Sequence, residues 1–495
     1  MLTGIEWVRY KLVGFTSTFD QNVASLTMAK LIKDLYPEVI IVFGGANYDG
    51  EMGMEYVRAF PFIDHVVIGE GEDVFPQLVR CVLDGNMDHL PPGVTARRGA
   101  DILFTPNRAL FSDFSETGPP DYDDYYHLLA ELGEAAQGLD RVLLYEASRG
   151  CWWGEKHHCT FCGLNAQSMK FRSKSPEQAA MEMAALSDRY DTARFRLVDN
   201  IIDMKYVDGL FGKFAEERCD LDVFIESKSN LRKSQIRTLA AGGVTCLQPG
   251  LESLSVTQLR AMDKGVTPMQ NLICLKWCLY YRITVSWNIL LGFPGETDED
   301  YRRQLDLIPS LVHLQPPEAT GKFWLQRFSP YFTRPHDYGI RITGPGMAYE
   351  YVYDARQVDL NKIAYDFEYE LDHWPVDPSL YRGLVAAVEG WQRMYRSADK
   401  PFLYYSKTPR YITVYDGRNP KAPIRRRYDG LAALTIEICN EAAKSADQIL
   451  AAIAGRIDCD DERLSSVLSD LTAQRVLYEE HGKYFALVIP ENSYL

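Results

Sequence analysis

Between Val142 and Pro330 the chain repeats one pattern: a short apolar run ending in small or charged residues, then a longer stretch of helical periodicity. The runs are VLLYEAS from Val142, FRLVDN (195–200), DVFIESK (222–228), VTCLQPGLES (244–253), TVSWNILLGF (284–293) and FWLQRFSP (323–330). Helical stretches near 175–190, 205–218, 231–241, 256–280 and 298–313 lie between them. Strands joined by crossover helices pair in parallel, and a parallel sheet buries both faces. Six such units in succession predict a partial (β/α)6 barrel, with function on the loops after each strand.

The first hundred residues carry the same rhythm. LVGFTST (Leu12–Thr18), VIIVFGGA (Val39–Ala46) and DHVVIGEGE (Asp64–Glu72) read as strands, with helical stretches at 21–35 and up to about Leu83. A Rossmann-like parallel sheet follows. Its ligands collect at the carboxyl ends of the strands, where Thr16, Ser17, Thr18, Gly44, Gly45, Ala46, Asn47, Gly69, Glu70, Gly71 and Glu72 fall. The expected fold class is α/β: a Rossmann-like domain at 1–100, a Pro- and Asp-rich connector at 101–140 and a barrel at 141–335. An aromatic-rich helical bridge at 336–404 and a small winged-helix-like α+β domain at 405–495 complete the expectation.

Charge narrows the partners. Fifty-three Lys and Arg against 68 Asp and Glu leave a net charge of −15, which repels phosphate backbones and anionic membrane faces. The basic run Arg425-Arg426-Arg427 reads as a solvated strand edge or turn. Nucleic acid is not an expected partner. No apolar stretch approaches the ~18 residues of a membrane span, and the N-terminus lacks a signal-peptide pattern. The expected location is the cytoplasm, with reduced thiols and metal ligation rather than disulfides.

The densest chemistry is Cys151-Trp-Trp-Gly-Glu-Lys-His-His-Cys159-Thr-Phe-Cys162, directly after a strand. Three thiolates on one loop suit a 4Fe–4S cubane with its fourth iron open, able to chelate S-adenosylmethionine and pass it an electron. A zinc site is the alternative, with Cys151, Cys159, Cys162 and His157 or His158 as a tetrahedron. On the loop alone the two readings stand level. Cys81, Cys219, Cys246, Cys274, Cys278 and Cys439 lie in apolar periodic stretches and read as core.

The strand ends break the tie. Asp199-Asn200, Glu226-Ser-Lys228, Gly250-Leu-Glu252-Ser253 with Lys264, and Asn288-Ile-Leu-Leu-Gly292-Phe-Pro294-Gly295-Glu296 fall where consecutive strands finish. From Tyr145 to about Phe332 the chain resembles the radical S-adenosylmethionine superfamily, closest to its cobalamin-dependent branch. It departs from the commonest spacing, having seven residues rather than three between the first two cysteines. The wording SRGCWWGEKHHCTFCGLN is similar to a subgroup that matures ribosomally made peptides, chiefly C-methyltransferases.

The resemblance implies that Phe161 packs over the adenine and that Asp199 and Asn200 meet the methionine amino group. It implies ribose or carboxylate contacts for Glu252, Ser253 and Lys264, with Glu226 and Lys228 in the same site. Leu290, Gly292 and Pro294 lie on the strand that reads the adenine. GFTSTF, VFGGAN and VIGEGE resemble the branch's cobalamin-binding domain, which carries two further βα units ahead of this point. An incomplete version of that domain is expected, still binding the corrin at the three strand ends. No Asp-x-His-x-x-Gly signature occurs, so no histidine is expected beneath the cobalt.

Together these features imply cobalamin-dependent C-methylation of a ribosomally synthesised precursor peptide, with an external electron donor. An adenosyl radical would abstract hydrogen and methylcobalamin would deliver the methyl. The alternatives are non-methylating radical modification of a peptide without cobalamin, and a zinc-stabilised binding protein that is not an enzyme.

Overall fold

The computed structural model describes residues 4–98, 101–107, 110–111, 113–136, 138–139, 141–165, 168–372 and 376–492. They form two compact units that each draw on several parts of the chain. The first comprises Met1–Glu116, Gly150–Arg172 and Trp324–His373; the second comprises Thr117–Arg149, Ser173–Phe323 and Trp374–Leu495.

In the first unit, β1 (Leu12–Thr16), β2 (Ile40–Gly44) and β3 (His65–Val66) pair in parallel in that order. Helices α1 (Gln21–Leu35), α2 (Glu51–Ala59) and α3 (Val74–Asp84) follow them in turn. Period-two alternation on β2 sends Ile41 and Phe43 into a cluster with Ala29, Ile32, Tyr56 and Val57. Val42 faces the other way, against Val74, Leu78 and Val82. Both faces of the central strand are therefore buried, which is why it reads as an uninterrupted apolar run.

The segment expected to be a helical bridge is built differently. Ile340–Pro345 and Asp366–Leu371 are antiparallel strands, with Leu325–Gln326 on the far side of the latter. The alternation in DFEYEL suits a strand with one buried face better than a helix. Val358, Leu360 and Ile363 join the cluster around β2, so this stretch completes the core of the first unit. Helix remains in two short pieces, Met347–Val352 and Leu360–Ile363, and at Pro378–Tyr395 in the second unit.

In the second unit, β4 (Leu143–Tyr145), β5 (Arg194–Leu197), β6 (Asp222–Glu226), β7 (Val244–Gln248) and β8 (Thr284–Val285) form one parallel sheet in chain order. A second parallel pair joins β9 (Asn288–Leu291) to β10 (Ala319–Lys322). The strand expected at 323–330 is thus earlier and elsewhere. ATGK carries no apolar run, so its pairing with NILL is invisible to hydrophobic pattern, while Leu325–Gln326 pairs in the first unit. Helix starts are locally encoded: Ser175, Thr267 and Thr297 each accept a backbone N–H of the first turn.

The C-terminal residues share the second unit's core. Strands Leu403–Lys407, Tyr411–Asp416 and Ile424–Asp429 precede helices Gly430–Glu441, Ala446–Ile453 and Asp461–Ala473 and the hairpin Leu477–Glu480 with Lys483–Ala486. Ile424–Asp429, with its three arginines, is an edge strand. Among the described residues no helix is long and apolar enough to cross a membrane.

One buried lysine ties this region to the parallel sheet. Lys276 sits on Pro268–Tyr280 with no exposed surface, and its Nζ donates to the Asn440 carbonyl (3.0 Å), Asn440 Oδ1 (2.7 Å) and the Ala486 carbonyl (2.7 Å). Removing the amine orphans three buried acceptors and leaves a cavity. Lys276→Ala is expected to destabilise the second unit by at least about 3 kcal/mol, read from urea unfolding.

Candidate functional site

The cysteine loop lies wholly in the first unit and is closed by backbone that only glycine allows. Gly150 has φ +85°, and a Cβ there would stand 2.2 Å from the Lys170 carbonyl oxygen. Cys151 N–H donates to the Met169 carbonyl, and a single helical turn then runs through Glu155 and His157. The Gly154 N–H donates to Cys151 Sγ (3.3 Å), which fixes the first sulfur against the turn.

The turn between the second and third cysteines is held on every side. Cys162 N–H donates to the Cys159 carbonyl (3.0 Å) and Tyr331 N–H to the Thr160 carbonyl (3.0 Å). Gly163 N–H donates to Gln326 Oε1 (2.9 Å). Gly163 has no room for a side chain: a Cβ would lie 2.2 Å from the Arg327 carbonyl oxygen. His158, at φ +65°, gives its Nε2–H to the Cys162 carbonyl (2.9 Å). Burial lowers the pKa of that imidazole, which keeps it neutral.

All three loop thiols are half-buried and unpaired by disulfides. Burial pushes the Cys439 thiol up to about 12 and also raises Cys246; Cys278 is raised first by its hydrogen bond with Cys274 and then by burial. Those three stay protonated at neutral pH, as core cysteines should. For zinc, the imidazoles are spoken for: His157 stacks on Trp153 at 4.1 Å and His158 is bonded to backbone. Among the described residues no three His, Cys, Asp or Glu side chains converge as ligands of one ion. A cubane takes one thiolate per iron, so its three cysteines stand farther apart than ligands of a single zinc.

The strand ends of the second unit gather charge. Glu252, at φ +59°, places Oε1 3.5 Å from Lys264 Nζ, and a Cβ on Gly250 would stand 2.8 Å from that amine. Burial, then the neighbouring Glu252, pushes Glu226 up to about 7. Two carboxyls and one ammonium therefore share the ends of β6 and β7, an arrangement that complements a zwitterion. Lys228 is buried beside the same strand end, and Asn200 is half-buried after β5.

Other expected residues are committed to the protein. Asp199 is fully buried and accepts from Ala147 N–H (2.8 Å) and Ser148 Oγ–H (2.7 Å), stitching β5 to β4. Burial pushes its carboxyl up to about 7. Ser253 donates to Gln258 Oε1, and Gln258 Nε2 donates to Glu296 Oε1 (2.9 Å). Glu296 also accepts from Gly292 N–H (3.0 Å) and Tyr301 Oη–H (2.8 Å), and burial pushes it up to about 7. Leu290 donates its N–H to the Glu252 carbonyl (2.9 Å), while Pro294 is half-buried in the following turn. Glu296 was visible in Gly-Phe-Pro-Gly-Glu, although its role in locking Gly292 was not. Nothing in sequence marked Gln258.

In the first unit the loops after β1, β2 and β3 interlock. Ser17 N–H donates to the Gly44 carbonyl (2.9 Å), and Asn47 N–H donates to the Ser17 carbonyl (3.2 Å). Gly45, at φ +92°, lies against the Ser17 backbone, where a Cβ would be 2.6 Å from the carbonyl oxygen. Gly69 N–H donates to Asp49 Oδ1 (3.2 Å). Thr16, Thr18 and Gly45 face solvent, and Ala46, Gly71 and Glu72 are half-buried. Ser17 is buried against Asn22 (3.2 Å), and Glu70 is taken up by Arg172 (2.5 Å) and Phe111 N–H (2.8 Å). Phe161 lies in the cysteine loop of the same unit.

Residues 145–308 match the model of the Radical SAM superfamily. An uncharacterized methyltransferase of Pyrococcus horikoshii is 26% identical over 325 residues, 63% of this chain and 68% of its own length. The cobalamin-dependent radical SAM methyltransferase TokK of Streptomyces tokunonensis is 27% identical over 180 residues, 35% of this chain and 25% of its own. The chain shares its fold with a structure of the cobalamin-dependent S-adenosylmethionine radical enzyme OxsB, at TM-score 0.57 and 14% identity, over 78% of this chain and 58% of that one. It shares it too with the radical S-adenosylmethionine methyltransferase TsrM from Kitasatospora setae, at TM-score 0.56 and 16% identity, over 77% and 78%.

Two outcomes follow from this geometry. Asp199, Glu226 and Glu296 have folded-state pKa values near 7, above the ordinary carboxyl value of about 4. Their contribution to stability is complete below about pH 4 and is lost as pH rises through about 7. The thermal midpoint of the metal-free chain should fall as pH rises from about 4 to 7 and level off above it, and Asp199→Asn should flatten that slope. Separately, Gly45→Ala should cost about 1–3 kcal/mol in chemical unfolding, because the added methyl meets the Ser17 backbone at a left-handed φ.

Proposed function

We propose that this chain, an enzyme carrying a radical SAM domain, methylates an unactivated carbon of a ribosomally made precursor peptide with the help of cobalamin. One observation carries the cobalamin reading: the cysteine loop and the ends of β1–β3, two of them glycine-bearing, belong to one compact unit. A flat corrin needs backbone to approach it closely, and Gly44, Gly45, Ala46, Gly69 and Gly71 supply small residues at those ends. The relative named as a cobalamin-dependent radical SAM methyltransferase, TokK, supports the same reading. For the peptide, the support is the wording of the loop and the helix–helix–hairpin order near the C-terminus.

When bound, the cluster supplies an electron, S-adenosylmethionine the radical and methyl source, and the corrin a carrier for the methyl group. The protein's part is to hold and orient. Cys151, Cys159 and Cys162 hold three irons, and the Gly154 N–H moderates the charge on the first sulfur. Lys264, paired with Glu252, would take the methionine carboxylate of the cofactor, and Glu252 and Glu226 its ammonium or ribose hydroxyls. A cation arriving beside Glu226 draws that carboxyl into its ionised form. The turn at 292–296, locked by Glu296, presents backbone to the adenine. An external donor in the cytoplasm supplies the electrons.

Anaerobic co-expression with candidate precursor peptides and added hydroxocobalamin tests this. Mass spectrometry should show the peptide gaining one methylene mass per event, and Cys151→Ala should abolish the gain. A corrin-loaded, iron-replete enzyme that alters the peptide without adding a methyl would refute the methyltransferase reading.

A further inference from the structure

Tyr365 lies in the stretch whose role the sequence left open, yet it bridges the two halves of the site within the first unit. Its hydroxyl donates to the Gly163 carbonyl (3.0 Å), one residue beyond the third cysteine. Its ring meets that of Phe19 edge to face, with centroids 5.5 Å apart and planes at 88°. Phe19 lies in the loop after β1 and sits at φ +48°, a left-handed conformation that a bulky residue adopts only when its surroundings impose it.

Asn47 is what imposes it. Its Oδ1 accepts from Phe19 N–H (3.1 Å), and its Nδ2 donates to the Phe19 carbonyl (3.0 Å) and to Ser17 Oγ (2.9 Å). An unbroken series of contacts therefore runs from the Cys162–Gly163 peptide through Tyr365 and Phe19 to the loops after β1 and β2. Tyr365 is itself anchored at both backbone groups: its N–H donates to Tyr349 Oη (2.9 Å), and its carbonyl accepts from Arg327 N–H (2.7 Å). A ring held at both ends of its own peptide is a fixed strut rather than a mobile cover.

We infer that Tyr365 is a positioning residue, its hydroxyl fixing the turn of the third cluster cysteine and its ring, through Phe19, fixing that turn relative to the loops after β1 and β2. The inference deepens the proposed function and rests on it only for the part concerning the corrin. The hydroxyl and the ring do separable jobs. The hydroxyl withdraws charge from a carbonyl beside the cluster, so losing it lowers the reduction potential. The ring edge sets spacing, so losing its Phe19 partner alters the separation of cluster and corrin without touching the cluster's own environment.

The experiment uses the full chain, reconstituted anaerobically with iron and sulfide. Tyr365→Phe should keep the wild-type iron content but shift the cluster to a lower midpoint potential, with changed EPR g-values for the reduced cluster. Phe19→Ala should keep both iron content and potential. Loaded with cob(II)alamin, Phe19→Ala should instead change the magnetic coupling between cobalt and the reduced cluster. An unchanged potential and spectrum in Tyr365→Phe would overturn the inference, as would loss of iron in both variants, which marks a purely structural role. Wild-type protein that retains no corrin after desalting would defeat the proposed cobalamin dependence, yet the potential of Tyr365→Phe would still decide the role of the hydroxyl.

Discussion

The first unit depends on one buried guanidinium. Arg327 is 2% exposed, and its head donates to the Ala364 carbonyl (2.6 Å), to the Asn361 carbonyl and to Glu51 Oε1 (2.5 Å). Its guanidinium carbon lies 5.2 and 5.0 Å from the ring centres of Phe332 and Phe367, which also pack on each other. A charge so deeply buried is tolerated only when its donors are satisfied, so the sites of its acceptors are dictated by its position. Those acceptors come from α2 and from the stretch just before Tyr365. The carbonyl of the same residue sits where any side chain on Gly163 would be, and its N–H meets the Tyr365 carbonyl. The cysteine turn, the β1–β3 sheet and the strands after residue 340 are thus registered to one another by a single side chain and its backbone.

The second unit solves a different problem. Its strand ends carry carboxyls that a folded protein alone does not favour ionised, since burial raises Asp199, Glu226 and Glu296 alike. Asp199 and Glu296 have internal donors, and their cost is offset by joining strands and locking a turn. Glu226 differs: the causes that raise it are burial and a second carboxylate, and the opposing Lys264 only partly compensates. Like-charged carboxyls left close together mark places where an arriving cation completes the electrostatics. The same logic explains the left-handed φ of Glu252, whose carbonyl is pinned by Leu290 while its side chain is turned toward Lys264.

How far these features were legible depends on the range of the interaction behind them. The helix 21–35, the strand starting at Leu12 and the strands ending near Leu197, Glu226 and Gln248 follow from periodicity, because burial of one or both faces writes itself into alternate residues. The strand Ala319–Lys322 escaped because its pairing with Asn288–Leu291 is a backbone matter that needs no apolar side chains. TVSWNILLGF read as one strand, but the chain breaks it at Ser286–Trp287, where the indole N–H donates to the Gln315 carbonyl. Within the site, the cysteines and the charged strand ends stood out by residue type. Ser253 and Asp199 stood out equally, yet their side chains turn to Gln258 and to Ala147 and Ser148.

Amino-acid order alone settled the parallel α/β class, the presence of a three-thiol loop after a strand, and the clustering of acids at strand ends. Each depends on neighbours within a few positions, where spacing and chemistry are one fact. Packing alone settled which distant segments share a unit. The cysteine loop and residues 324–373 belong with the N-terminal sheet, and residues after 374 with the longer parallel sheet. It also selected Arg327, Tyr365 and Asn47 over other residues of their kinds. Those roles rest on hydrogen bonds between segments up to about three hundred positions apart, as between Arg327 and Glu51. No local pattern carries such a pairing, because the geometry that makes it exists only once the chain has closed around it.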